Sequence, residues 1–168
     1  MKTFRLLLGF AFAFAALSLV RAEPVSATPA PAWKLMDVDG KVVSSDQFKG
    51  KVVVVDFWAT WCGPCRMEIP GYIELQKKYG KDGLVIIGVS CDQDKHAPET
   101  VKAFAQKNGM NYQVVMSSDE VLAAFGGAEG IQAIPTTFLI DRSGQIRDRK
   151  VGAEPTAQYE QLVLKYLK

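Results

Sequence analysis

Lys51-Val52-Val53-Val54-Val55-Asp56-Phe57-Trp58-Ala59-Thr60-Trp61-Cys62-Gly63-Pro64-Cys65 is the stretch on which the architecture turns. Lys51 to Trp58 is a near-continuous apolar, β-branched run, the pattern of a strand buried on both faces. Beyond Trp58 the strand pattern stops and a helix is set to begin. Pro64 suits a first helical turn, where its missing N–H is not needed.

Outward from that junction, strands and helices alternate. Leu84 to Val89 is a second run of buried-strand type. Between the two, Pro64 to Tyr79 has helical composition, with Pro70 inside it expected to kink the helix. Thr100 to Asn108 places Val101, Phe104 and Ala105 at helical spacing and stops at Gly109. Tyr112 to Met116 reads as a short strand and Asp119 to Phe125 as a short helix. Thr136 to Ile140 and Gln145 to Val151 flank the turn sequence Asp141-Arg142-Ser143-Gly144, which predicts a hairpin. Thr156 to Leu167 closes the chain with a helix. The fold class is α/β, with a mixed central sheet covered by helices on both faces.

The 168 residues suit one domain, and 48% hydrophobic with 23% charged residues is ordinary globular composition. The formal charge of +2 is unevenly spread. Lys2, Arg5 and Arg21 fall in an acid-free segment 1–22, and the rest carries 17 basic against 18 acidic residues. A chain so close to neutral beyond that segment has no electrostatic footprint for nucleic acid or anionic lipid. Residues 1–22 read as a signal peptide, with a charged start, an apolar run from Leu6 to Val20 and small residues before Glu23. The alternative is an uncleaved N-terminal anchor. Either way the remainder is expected outside the cytoplasm, in a periplasm or at the extracytoplasmic membrane face. Residues 23–32 (EPVSATPAPA) read as a linker, and 33–168 as the domain.

At the strand–helix junction, Cys62 would lie where free N–H groups and the helix dipole favour a thiolate. Cys65, one turn inside, would be shielded and less acidic. That asymmetry suits thiol–disulfide exchange, in which one sulfur attacks and the other resolves the mixed disulfide. A structural staple is the bland alternative, yet closing four residues stabilises by only about 2 kcal/mol, against about 4–5 for a loop of about 100. A metal site is the other. Three Cys and one His would make up a Cys₃His set, and Cys91 and His96 are near each other in sequence. No second close Cys pair exists, and Arg66 stands where haem attachment would need His. Too few cysteines are present for a Cys₄ cluster.

The segment from Val55 to Cys65 resembles the active-site segment of thioredoxins. Its continuation through Glu68 and Pro70 matches W-C-x-x-C-x-x-E-x-P, and Gly130-Ile131-Gln132-Ala133-Ile134-Pro135-Thr136-Thr137-Phe138-Leu139-Ile140-Asp141 continues the match. With an extra helix–strand–helix at about 97–125, the chain resembles the exported TlpA/ResA-like thiol–disulfide oxidoreductases from about Trp33 to Lys168. The resemblance implies a thioredoxin fold and a redox-active Cys62–Cys65 disulfide, with no other cofactor and no metal.

It also implies roles for individual residues. Asp56 interrupts an apolar strand, where burial raises a carboxyl pKa; the resemblance makes it the acid/base that helps deprotonate Cys65. Thioredoxins usually oppose this Asp with a Lys on the next strand, but Leu84 to Val89 has none. Glu68, three residues after Cys65 and so on its helix face, is implied to tune the cysteines. Pro135 is implied to be a cis-proline facing the pair, with the Ile134 backbone adding substrate polypeptide like a strand. Trp61, Gly63 and Pro64 complete the implied substrate-facing surface. Cys91 shares a sheet face with Val89 and reads as an inert thiol, and His96 as a surface residue. A peroxidase motif would need Pro at 55 and Ser or Thr at 59, where Val55 and Ala59 stand.

The expected activity is protein disulfide reduction by an exported monomer. Its implied partners are a disulfide-containing protein, either apocytochrome c or a copper-site assembly protein, and a membrane electron-donor protein. A thiol oxidase or isomerase of the same fold, or a metal chaperone using the Cys pair, are the competing readings.

Overall fold

Four successive valines, Val52 to Val55, place their strand in the middle of the sheet, because β-branched side chains pack well on a pleated surface buried on both sides. The computed structural model describes residues 28–168, so the segment read as a signal peptide and the start of the linker lie outside the described residues. In chain order the elements are β1 (Thr28–Pro29), β2 (Lys34–Met36), β3 (Val42–Ser44), β4 (Val52–Trp58), α1 (Gly63–Tyr79), β5 (Leu84–Ser90), α2 (Ala97–Lys107), β6 (Gln113–Met116), α3 (Asp119–Gly126), β7 (Thr136–Ile140), β8 (Gln145–Val151) and α4 (Thr156–Leu167).

The sheet order is β1-β8-β7-β4-β5-β6. β4 pairs in parallel with β5 and antiparallel with β7, so every residue of β4 is buried. This is the thioredoxin-like α/β fold expected. The expected hairpin is β7–β8, whose turn is held by the Asp141 carboxylate accepting from Ser143 N and Gln145 N. The region at 97–125 supplies α2, β6 and α3, with β6 added in parallel beside β5.

The alternation of β4 divides the core. Val52 and Val54 face Tyr72 and Leu75 of α1 and Tyr159 and Val163 of α4. Trp58, on the same face, packs with Val101 of α2 and beside Phe104 at 5.4 Å between ring centroids. Val53, Val55 and Phe57 face the other way, onto Val121 and Phe125 of α3 and onto Trp33, Leu35 and Val43. Helices therefore cover both faces.

Three features differ from what the sequence predicts. Thr28 and Pro29, within the expected linker, pair with Ile146 and Gln145 as an edge strand, where a proline is tolerated because no ladder N–H is needed outward. Lys34–Met36 and Val42–Ser44 form a small hairpin whose Leu35 and Val43 join the core, an element too short to announce itself by pattern. The second helix begins earlier, at Ala97, because Pro98 fits its first turn. Among the described residues, no helix is long and apolar enough to cross a membrane.

Candidate active site

β4 ends at Trp58, and the chain turns through Ala59 to Trp61 before entering α1. Cys62 is the N-cap of that helix, and its sulfur lies 3.2 Å from the backbone N of Cys65, a donor the first helical turn leaves free. Cys62 and Cys65 are joined by a disulfide, with Cα atoms 5.3 Å apart. Both residues are buried. Trp61, next to them, is 70% exposed, and Met67 on the same helix is 72% exposed. An exposed apolar side chain therefore stands beside the sulfurs at Trp61. Gly63 and Pro64 form the first turn, where a Cβ at Gly63 would meet nothing within 4 Å.

The Ile134–Pro135 peptide is cis. Its loop brings the Ile134 carbonyl oxygen to 3.8 Å from Cys62 Sγ. Residues 72 positions apart in sequence thus form the two sides of one site.

Two acids are buried, Asp56 on β4 and Glu68 on α1, close enough that the charge of Glu68 acts on Asp56. Asp56 is 4% exposed and accepts a hydrogen bond from Thr137 Oγ1 at 3.0 Å. Thr137 Oγ1 in turn lies 3.2 Å from the Tyr72 hydroxyl. Burial, reinforced by the nearby Glu68 charge, pushes the Asp56 carboxyl up to about 7, against the opposing pull of the Thr137 hydrogen bond and Lys150. Burial likewise drives Tyr72, Tyr112 and Tyr159 well above the usual phenol range, which keeps their hydroxyls neutral.

Glu68 is 6% exposed and pairs with Lys150 of β8, while its Oε1 also accepts from Glu154 N at 2.9 Å. Its Oε2 is buried with no hydrogen-bond partner among the described residues. The lysine that β5 lacks is therefore supplied from the opposite side. Across the sheet, Gly88, Asp56, Thr137 and Lys150 are successive register partners, so the ammonium stem shares the face and the row of Asp56.

Sequence reasoning missed Thr137, Tyr72, Lys150 and Glu154, each brought in by tertiary contact. It also missed Asp92, whose carboxylate holds Thr60 in the loop ahead of Cys62. The one hint for Asp92 was a charged residue just past a buried strand. Cys91 packs beside the core that contains Val89, and burial pushes its thiol up to about 11. His96 is the N-cap of α2, away from any acid–thiol cluster. Among the described residues, no group of three or more His, Cys, Asp or Glu could hold a metal ion.

A disulfide at a helix N-terminus, a facing cis-proline loop and two buried acids, one of them three residues after Cys65 on the same helix, together define a thioredoxin-fold thiol–disulfide oxidoreductase. The chain belongs to the Redoxin family, whose model matches residues 26–163. It is 34% identical over 131 residues to "Thiol-disulfide oxidoreductase ResA" of Bacillus anthracis, covering 78% of this chain and 72% of that protein. It is 33% identical to "Thioredoxin-like protein YneN" of Bacillus subtilis (strain 168), covering 79% and 75%. Among solved structures, a thioredoxin-family thiol:disulfide interchange protein from Chlorobium tepidum TLS superposes with a TM-score of 0.77 at 38% identity, covering 84% of this chain and 97% of that one. A putative thiol:disulfide interchange protein DsbE from Chlorobium tepidum gives 0.74 at 30% identity, with coverage of 84% and 97%. The chain is an enzyme of the ResA/DsbE type with one Cys-x-x-Cys pair.

Proposed function

We propose that the chain works as an exported protein disulfide reductase. With the pair reduced, the Cys62 thiolate attacks one sulfur of a target disulfide. A Cys62–target bond forms, the target S–S bond breaks, and the first target sulfur leaves as a thiolate. Cys65 gives its proton to Asp56, and its thiolate attacks Cys62 Sγ. The mixed disulfide breaks, the second target sulfur leaves and is protonated, and Cys62–Cys65 closes. Two electrons pass from the dithiol to the target.

The observation that carries this reading is the different environment of the two sulfurs. Cys62 is at the helix N-cap against the Ile134 edge, while Cys65 is inside the first turn, on the helix face that bears Glu68. The Ile134 backbone is the edge along which substrate polypeptide would lie. Trp61, Gly63, Pro64 and Pro135 complete that surface. Charge supports this direction of electron flow. Carboxylates near the pair disfavour a further negative charge on sulfur, so the reduced form gains less from thiolate formation and gives up electrons more readily.

In an oxidising compartment the closed disulfide needs a fresh source of electrons, and a membrane electron-donor protein fits that need. A disulfide-bonded apocytochrome c or a copper-site assembly protein fits as target. Export rests on the signal-like segment 1–22. The deciding experiment is the reduction potential of the Cys62–Cys65 couple, with Cys91→Ala as control. A value below about −220 mV is expected; one near about −120 mV would make the protein an oxidant and overturn the proposal.

A further inference from the structure

One buried acid near the site has no part in the exchange just described. Asp92 lies two residues past the end of β5 and is 7% exposed. Both of its carboxylate oxygens point at one residue. Thr60 N donates to Oδ2 at 2.9 Å, and Thr60 Oγ1 donates to Oδ1 at 2.6 Å. The Ser90 hydroxyl, fully buried, donates to Oδ2 at 2.8 Å, and Asp92 N donates back to Ser90 Oγ at 3.2 Å. The acid is therefore anchored to the sheet on one side and grips the active-site loop on the other.

The grip matters because of what hangs from it. Thr60 stands two residues before Cys62, in a turn closed by Cys62 N donating to Ala59 O at 3.1 Å. No other side chain among the described residues hydrogen-bonds to Thr60. The opposite side of the site, Ile134, belongs to a different loop, so the gap between Cys62 Sγ and the Ile134 carbonyl depends on how each loop is tied to the sheet.

We propose that Asp92 is a positioning residue for the nucleophile: by clamping Thr60 to the end of β5, it sets where Cys62 meets a polypeptide laid along the Ile134 edge. The proposal rests on exchange at Cys62 with a chain bound at that edge, whichever way electrons flow. The clamp needs an acceptor for Thr60 N and a hydrogen-bonding partner for the Thr60 hydroxyl, held in one plane. Asp92→Ala removes both, whereas Asp92→Asn keeps them: the amide oxygen accepts from Thr60 N, and the NH₂ donates to the Thr60 hydroxyl, which rotates to accept.

The test is the rate at which the reduced full-length protein reduces two probes: a peptide with one intramolecular disulfide, and cystamine, a small disulfide with no peptide backbone. Asp92→Ala should lose roughly tenfold on the peptide and less than about threefold on cystamine, because misplacement costs most where the substrate is held by a second surface, and Asp92→Asn should stay near the parent on both. Thr60→Val should lose less, Thr60→Ser should restore the parent rate, and Thr60→Val with Asp92→Ala should be no worse than Asp92→Ala alone. Equal losses on both probes, parent rates in both single variants, or losses that multiply in the double variant would overturn the clamp. Should Asp92→Ala fail to fold, Thr60→Val and Thr60→Ser decide the matter by the same ratio of probes. Reduction of both probes at the parent rate by Cys62→Ser would instead sink the exchange chemistry itself.

Discussion

Glu68 of α1 and Lys150 of β8 form an ion pair between a buried carboxylate and a partly buried ammonium, with side chains 6% and 13% exposed. Glu68 Oε1 takes a second donor, Glu154 N, whereas among the described residues Asp56 has one hydrogen-bond donor, the Thr137 hydroxyl. The two buried acids are therefore not equivalent. Glu68 is tied to the β8–α4 side of the molecule, and Asp56 is left as the carboxyl that titrates near neutral pH.

Removing the lysine should be costly. Lys150→Met leaves a buried carboxylate facing no cation, and breaking such a pair destabilises by about 3–5 kcal/mol. Urea unfolding should show the loss, and adding Glu68→Gln should recover part of it. Because Lys150 holds the Asp56 carboxyl down, the pH midpoint of mixed-disulfide resolution should also move upward. An unchanged unfolding midpoint would mean that the pair contributes nothing.

Asp56 should make stability depend on pH. Its folded value near 7 lies above the ordinary value of 3.8, so the native state binds this proton more tightly than the unfolded chain. This contribution is fully present below about pH 4 and is lost as pH rises through about 7. The facing groups are Glu68 and Tyr72 on α1, Lys150 on β8, Tyr159 on α4, and Tyr112 and Cys91 nearby. Asp56→Asn should be more stable than the parent at pH 8, by on the order of a few kcal/mol, and no more stable at pH 4.

The same substitution should slow turnover. Asn cannot accept a proton from Cys65, and loss of a general base costs on the order of a hundredfold or more. Rapid-mixing measurement of mixed-disulfide resolution should lose its inflection near pH 7 in Asp56→Asn. Persistence of that inflection would assign the proton to another group.

Gly71 lies in α1 where α4 crosses it, and a Cβ there would collide with the Thr156 side chain at the start of α4. Gly71→Ala should therefore cost about 1–3 kcal/mol, despite alanine's better helix propensity. Thr156→Ala should relieve much of that cost, which thermal unfolding of the double variant would show. A Gly71→Ala protein more stable than the parent would mean that α4 yields freely.

Cys65→Ser keeps the attacking sulfur and removes the resolving one. It should accumulate mixed disulfides with its targets, visible as reductant-sensitive adducts on a gel, and Cys62→Ser should give none. Mass spectrometry of adducts from an exported fraction would show whether a cytochrome precursor or a copper-site protein is among them.

The local signals in the sequence were strong wherever one short segment carries the whole physics. Val52 to Val55 require a strand buried on both faces, Pro64 permits a helix to begin beside Cys62, and Asp141 to Gly144 turn a hairpin. Thus the fold class, the position of the cysteine pair and the place of Asp56 in a buried strand were all legible. The edge strand at Thr28 and the hairpin of Lys34 to Ser44 were not, because two or three residues hold too little pattern to distinguish strand from coil.

What only the tertiary structure decided is which basic residue serves the buried acids. Pairing in the β7–β8 hairpin shifts by one residue between Leu139 and Ile140. Continued from the Ile140–Ile146 pair without that shift, the ladder would have set Arg149 opposite Thr137. With the shift, Lys150 takes that place and reaches Glu68, while Arg149 lies over the Phe138 ring on the other face. A one-residue slip moves every side chain of a strand to the opposite face. A bulge that sets such a slip is chosen by how the sheet twists and packs, which the residues of β8 by themselves do not encode.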